Sequence, residues 1–332
     1  MISRQAIWAM LASAASLLFT GLAPAQVPKT TPTTGTTTAQ IIPVSFTNEQ
    51  IAATVNGEKI LIGDVRKALD SKPYALSLSE EQKKELRKAA LDSLVEDALM
   101  RQYLSKHVPQ VSQTEYNKEV NELQDALKKQ NKTVAAFLKE NGQTEEQLRR
   151  DIIARLQWKA MLGRFLPDDK AKVYYDTNKV FFDKVMVKAS HIMLKLPANA
   201  TKDQRDKAGQ TLLVWRQEIL AGKVKFEDVA KQFSDCPTKD KGGDLGQFPY
   251  KFVVVPEFAK SAFSMKVGEI SGVVTTVFGV HLIKVTERTP GEVSNFEALK
   301  DTVREIWAQD EELIVRVLAE QRKIGDVKVS LP

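Results

Sequence analysis

Near Lys184 the apolar residues change their period, and the fold must satisfy both patterns. Before that point they recur at three- and four-residue steps. Leu91, Leu94, Val95, Ala98 and Leu99 mark one helical face, and Leu148, Ile152, Ile153 and Leu156 mark another. Ser79 with Gln82, Ser112 with Glu115 and Thr144 with Gln147 have capping-box spacing, which predicts three helix starts. From Val185 to Leu194 the residues alternate instead. Val185, Val187, Ala189, His191 and Met193 lie on one side and Met186, Lys188, Ser190, Ile192 and Leu194 on the other, the period of a strand. A mostly helical region therefore precedes a unit that contains a sheet, and 332 residues leave room for about two domains.

The rest of the mature chain fits this division. Residues 51–62 hold two short apolar runs around Asn56-Gly57, a strong hairpin signal because both residues tolerate positive φ. After the strand, a capped helix is expected from about Thr201 to Gly222, carrying Ala208, Leu212, Ile219 and Leu220. A short helix around Phe226, Val229 and Ala230, a Gly-rich loop at 242–246, a helix at 256–263 and a closing strand from Phe278 to Thr286 follow. Ser294 and Glu297 predict one more capped helix, with Leu299, Val303, Ile306, Trp307, Leu313, Ile314 and Val317 as its stripe. A lone amphipathic helix needs a partner, so this stripe is expected to dock on the earlier helical region. Val327-Lys328-Val329 is expected to add a strand to the Asn-Gly hairpin.

The first residues read as an address. Arg4, the uncharged stretch Ile7 to Leu22 and Ala23-Pro24-Ala25 have the layout of a secretory signal peptide, 1–25, with an uncleaved N-terminal anchor as the alternative. The Thr- and Pro-rich segment 26–43 reads as a flexible tether. The chain is thus expected to be exported, to the periplasm or another extracytoplasmic site, which argues against ATP-driven chemistry. A net charge of +6, mixed along the chain, argues against a nucleic-acid stripe. One cysteine, Cys236, excludes a disulfide framework within the chain and a multi-cysteine zinc site, and three histidines leave little for a metal cluster.

Three strings carry a family likeness: Ala-Ser-His-Ile-Met-Leu at 189–194, Phe-Glu-Asp-Val-Ala-Lys-Gln-Phe-Ser-Asp-Cys-Pro with Lys-Gly-Gly-Asp-Leu-Gly-Gln-Phe at 226–248, and Thr-Thr-Val-Phe-Gly-Val-His-Leu-Ile-Lys-Val at 275–285. On these, residues 184–287 resemble the parvulin-type (PpiC-like) peptidyl-prolyl cis-trans isomerases. The Val-Asn-Gly-Glu-Lys-Ile hairpin and the helices after it are similar to the N-terminal chaperone domain of exported SurA-like and PrsA-like foldases. The implied fold is α+β, with a parvulin-like domain at 184–287 inserted in a mostly helical SurA-N-like domain formed by 44–183 and a docking tail, 288–332.

The implied reaction is rotation about Xaa-Pro bonds, whose barrier of about 18–20 kcal/mol comes from amide resonance. A thousand-fold acceleration needs roughly 4 kcal/mol of transition-state stabilisation. No bond is cleaved, so no nucleophile, metal or cofactor is called for. An apolar slot, exclusion of water and suitable polar groups suffice. The resemblance puts Leu245, Val254, Phe258 and Phe278 at substrate-binding positions. It puts His191, His281, Cys236 and Thr276 at the catalytic ones. Two imidazoles on neighbouring strands fix each other's tautomers, by which the pair either rigidifies the site or takes part directly. Covalent catalysis by Cys236 is disfavoured, since no base adjoins it and the reaction needs none. The glycines at 242–246 are expected to allow a tight turn that aims Leu245. They are not a phosphate cradle, because no Lys-Ser or Lys-Thr follows. His107 reads as a helix-terminal residue, and Tyr174, Tyr175, Phe181 and Phe182 as packing.

Two departures from the family pattern bear on specificity. Val254 stands where methionine is usual and Val255 where glutamine is common. Lys251 is the only basic residue in the loop Phe248–Val255, so no preference for phosphorylated Ser/Thr-Pro is expected. The expected partners are unfolded or nascent exported proteins with Xaa-Pro segments, without nucleic acid, and with membrane contact only if the signal stays uncleaved. A holdase chaperone with a weakly active or inactive parvulin domain is the alternative reading.

Overall fold

The computed structural model describes residues 41–331 apart from 44, 71–77 and 142. The signal segment and the tether up to residue 40 lie outside the described residues. The chain gathers into two compact units. One runs to Asp168 and resumes at Arg304, and the other is Asp169–Val303.

In the first unit, β1 (Ile51–Val55) and β2 (Glu58–Leu61) form the Asn-Gly hairpin. Asn56 and Gly57 have φ of 50° and 86°, the two positive values a type I′ turn needs. Helices α1 (Ile62–Asp70), α2 (Glu80–His107), α3 (Gln113–Lys128), α4 (Val134–Glu140) and α5 (Glu145–Phe165) follow. All three expected capping boxes are made, at Ser79, Ser112 and Thr144. Each satisfies backbone groups that a helix start leaves without partners. Leu91, Val95 and Leu99 of α2 share a core with Met161 and Leu162 of α5. His107 closes α2, with Nδ1 2.8 Å from the Tyr103 carbonyl.

The second unit takes in α6 (Asp168–Thr177), α7 (Lys179–Phe182), β3 (Met186–Lys195), α8 (Lys202–Leu220), α9 (Phe226–Phe233), β4 (Asp244–Pro249), α10 (Pro256–Ser264), β5 (Val274–Thr276) and β6 (Gly279–Thr289). Among the described residues its sheet has four strands in the order β4-β3-β6-β5, every neighbouring pair antiparallel. One face carries Val187, Ala189, Ile283 and Val285 against Phe258 and Ala262 of α10. The other carries Ile192, Val280 and Leu282 against Leu212 of α8 and Phe226 of α9. With both faces covered, β3 is buried without interruption from Ala189 to Met193, so its alternation marks faces and not a wet and a dry side.

Four expectations need correction. The Gly-rich loop becomes strand β4 from Asp244 onward, and β5, at three residues, is too short to show a period in the sequence. Leu220 does not pack under α8, being 58% exposed in the helix's last turn. The final stripe is two helices, α11 (Phe296–Asp310) and α12 (Leu313–Ile324), separated at Glu312, whose φ is 49°. That turn lets Leu313, Val317 and Leu318 enter the first unit's core. The cap of α11 is Asn295, whose side-chain oxygen accepts from the Ala298 amide at 3.3 Å. Ser294 is otherwise engaged, since its hydroxyl lies 2.6 Å from both Asp183 Oδ1 and the Tyr175 hydroxyl.

β7 (Val327–Val329) pairs with β1, as expected. Asn56 ties this strand to the hairpin: its Oδ1 accepts from the Asp326 amide at 2.8 Å and its Nδ2 donates to Gln102 Oε1 at 2.8 Å. Asn56→Ala removes both bonds and puts a Cβ-bearing residue without local compensation at positive φ. A loss of about 2 kcal/mol is expected in urea denaturation. Asn56→Gly, which keeps the turn but not the bonds, is expected to lose less. Equal losses would remove the turn from this account.

Candidate functional site

His191 on β3 pairs in register with Ile283 on β6, and His281 pairs with Met193. Because residues two apart on a strand share a face, both imidazoles stand on the Phe258 side of the sheet, one pair apart. Their rings stack at 5.5 Å and 11°, with Nδ1 to Nδ1 at 3.3 Å. His281 Nε2 lies 2.8 Å from Thr276 Oγ1, which also accepts from the Phe278 amide at 3.1 Å. Between two neutral rings, one Nδ1 donates to the other, so this contact couples the tautomers of His191 and His281. His191 Nε2 is buried with no hydrogen-bond partner among the described residues. Burial holds both imidazoles down to about 4, and His281 adds to the effect on His191. Each ring therefore carries one proton at neutral pH.

Phe258 joins the polar pair to an apolar wall. Its ring meets His191 edge-on at 5.5 Å and His281 at 5.8 Å. Leu245, Val254 and Val255 pack on the cluster that holds Phe258 and Phe248. Phe278 sits in the two-residue turn between β5 and β6 and is 56% exposed. Cys236 is buried, its Sγ 3.9 Å from the His191 carbonyl and 3.5 Å from Thr238 Oγ1. The eight residues singled out from the sequence are thus joined by contacts through β3, β6 and α10. The arrangement sets a neutral polar line beside an apolar cluster, with no charge at its centre. Among the described residues, no cluster of three His, Cys, Asp or Glu side chains is placed to hold a metal.

Two further contributors, Ser234 and Asp235, lie within the family string but are given no role by the resemblance. Ser234 Oγ, buried, accepts from the Met193 amide at 3.0 Å and the Cys236 amide at 3.2 Å. Asp235 donates its amide to the Met193 carbonyl at 2.8 Å and accepts from the Lys195 amide at 2.9 Å through Oδ2. This clip binds the Cys236 segment to β3 in the manner of a strand, but with side chains. In the sequence they stand within the Phe-Ser-Asp-Cys-Pro string, directly after an apolar helix end. Gly243 has a role beyond turning: its carbonyl accepts from the His191 amide at 3.0 Å, and a Cβ on it would lie 2.1 Å from the His191 carbonyl oxygen.

Residues 191–287 match the Rotamase family, the PPIC-type PPIase domain, and residues 35–162 match the SurA-like N-terminal domain. The protein is therefore a peptidyl-prolyl cis-trans isomerase of the parvulin class, preceded by a helical SurA-like region. The foldase protein PrsA of Caldanaerobacter subterraneus subsp. tengcongensis is 32% identical over 276 residues, 78% of this chain and 80% of the relative. That of Clostridium botulinum (strain Loch Maree / Type A3) is 29% identical over 308 residues, 83% of this chain and 87% of the relative. The chain belongs to the PrsA foldase family. The solved peptidylprolyl isomerase PrsA from Bacillus anthracis is also similar, at 24% identity and a TM-score of 0.37 over 70% of this chain and 95% of that one.

Proposed function

We propose that this isomerase acts on Xaa-Pro bonds of unfolded or partly folded proteins outside the cytoplasm. In this reading Leu245, Val254 and Phe258 form the proline slot and Phe278 its rim. His191, His281, Thr276 and Cys236 line the twisting amide. The observation that carries the reading is Phe258, whose ring belongs to the apolar cluster and also meets both imidazoles. A proline ring seated against it brings its amide beside neutral polar groups in a water-poor place. There the twisted amide, with less charge separation than the planar one, gains relative to the ground state. The histidine pair is held by hydrogen bonds and is already neutral, so it costs no reorganisation when the amide turns.

The helical unit, with α12 and β7 completing it, is the part we assign to holding clients, flanking the isomerase segment in the chain. The signal-like 1–25 supports export. No helix among the described residues is long and apolar enough to cross a membrane.

The test is an isomerisation assay on residues 26–332 with unphosphorylated Xaa-Pro peptides. Leu245→Ala combined with Phe258→Ala, verified as folded, is expected to lower kcat/KM at least about fifty-fold. This corresponds to some 2–3 kcal/mol of lost apolar contact in the transition state. A folded double variant with full activity would move the slot elsewhere. A wild-type rate no better than buffer, with protection of an aggregating client intact, would favour the holdase.

A further inference from the structure

The loop that joins β4 to α10 carries a strained residue with no role in the slot itself. Phe252 has φ of 72°, a region bulky side chains rarely enter, and its ring is 50% exposed. Burial alone does not account for a phenylalanine there. Its ring meets that of Phe181 at 5.7 Å and 86°, edge to face. Phe181 is buried and packs at 5.3 Å on Phe182, which stacks at 5.3 Å on Tyr175. The Tyr175 hydroxyl in turn donates to the Ser294 carbonyl at 2.7 Å. Beside Phe252, the Lys251 ammonium lies 5.5 Å over the Tyr174 ring. The loop is thus docked on α6 and α7 through two adjacent residues.

Its other end is also held. Pro256 opens α10 with a locked φ. Only Val253, Val254 and Val255 lie between the two anchors, and Val254 and Val255 pack on the Phe258 cluster. We propose that Phe252 is a positioning residue: docked on Phe181, it holds the valine segment against the proline slot, and so sets how tightly the slot grips its substrate. The proposal rests on Leu245, Val254 and Phe258 forming that slot. It accounts for retaining an aromatic residue at positive φ where glycine would be unstrained. It also gives the aromatic group of α6 and α7 a part in substrate binding that it performs without touching substrate.

Three variants of residues 26–332 test it, each with KM and kcat separated on Xaa-Pro peptides. Phe252→Gly removes the ring and the strain together, so its thermal midpoint is expected to stay level or rise. Its KM is expected to rise about five-fold while kcat stays within about two-fold, because loosened ordering weakens ground state and transition state alike. Phe252→Tyr restores the wild-type KM. Phe181→Leu reproduces the loss, and combining it with Phe252→Gly adds nothing further, as expected of one contact. An unchanged KM in Phe252→Gly, a fall confined to kcat, or effects of the two changes that multiply would overturn the proposal. The methyl resonances of Val254 give a readout free of activity: shifted or multiplied signals in Phe252→Gly support positioning, and identical ones sink it. The slot itself is tested apart, by the Leu245 and Phe258 double variant, so that either failure is recognisable.

Discussion

Gly243→Ala is expected to damage the isomerase unit severely. At φ of 80° the new side chain meets the left-handed penalty. Its Cβ also falls 2.1 Å from the carbonyl oxygen of His191, and no side chain can swing away, because the obstacle is backbone. Relief requires β4 to part from β3, breaking the bond between the His191 amide and the Gly243 carbonyl and disturbing the histidine pair. A loss above about 4 kcal/mol is expected, the size reserved for such clashes, with a fall in midpoint on the order of 15 °C for a unit of this size. Gly246→Ala is the control. It has φ of 71°, and nothing lies within 4 Å of where its added methyl would stand, so only the conformational cost of about 1 kcal/mol remains. Thermal unfolding followed by near-ultraviolet dichroism measures both, and equal effects would mean that β3 and β4 do not approach so closely.

Mild acid is expected to weaken the isomerase unit. Both imidazoles sit near 4 in the folded protein against an ordinary 6.5, chiefly through burial. Between these values the unfolded chain binds more protons than the folded one, so stability falls as pH falls. The loss begins near pH 6.5 and levels off below about 4. Per ring it is on the order of 3 kcal/mol. Asp151 in the helical unit acts oppositely: burial, then the neighbouring Asp97, pushes it up to about 6, so that unit gains stability as pH falls from there toward the ordinary carboxylate range. A readout that resolves the two units is therefore needed. Amide exchange on β3 and β6 is expected to quicken from pH 6.5 to 4.5 without a matching change on α2 and α5. Imidazole resonances of His191 and His281 that titrate near 6.5 would contradict the account.

Local chemistry was legible wherever a few neighbouring residues determine it. The Asn56-Gly57 turn and the capping boxes at Ser79, Ser112 and Thr144 needed no tertiary help. The alternation around His191 identified β3, and the later Val-His-Leu-Ile-Lys-Val run identified β6. Misreadings came where a distant group competed for a residue. Ser294 looked like a cap, but Asp183 and Tyr175 take its hydroxyl and Asn295 caps instead. The final stripe looked like one helix because its period continues across Glu312, whose turn is set by the core that Leu313 and Val317 enter.

The site divides in the same way. The resemblance to the parvulin strings pointed to the histidines, Cys236 and the apolar positions, and the fold sets the two imidazoles against Phe258 and the Cys236 segment against β3. The sequence by itself thus determined most of the elements and their order, which follow from local periodicity and turn geometry, while the class of chemistry came from the resemblance to the parvulin strings. Only the tertiary structure decided the contact of the two imidazoles with each other and with Thr276, the Ser234 clip on β3, the backbone contact that reserves position 243 for glycine, and the docking of Phe252 on Phe181. Each joins residues about 40 to 90 positions apart, or depends on such a joining. A one-dimensional pattern records what a residue is able to do, whereas these contacts depend on which partner reaches it first.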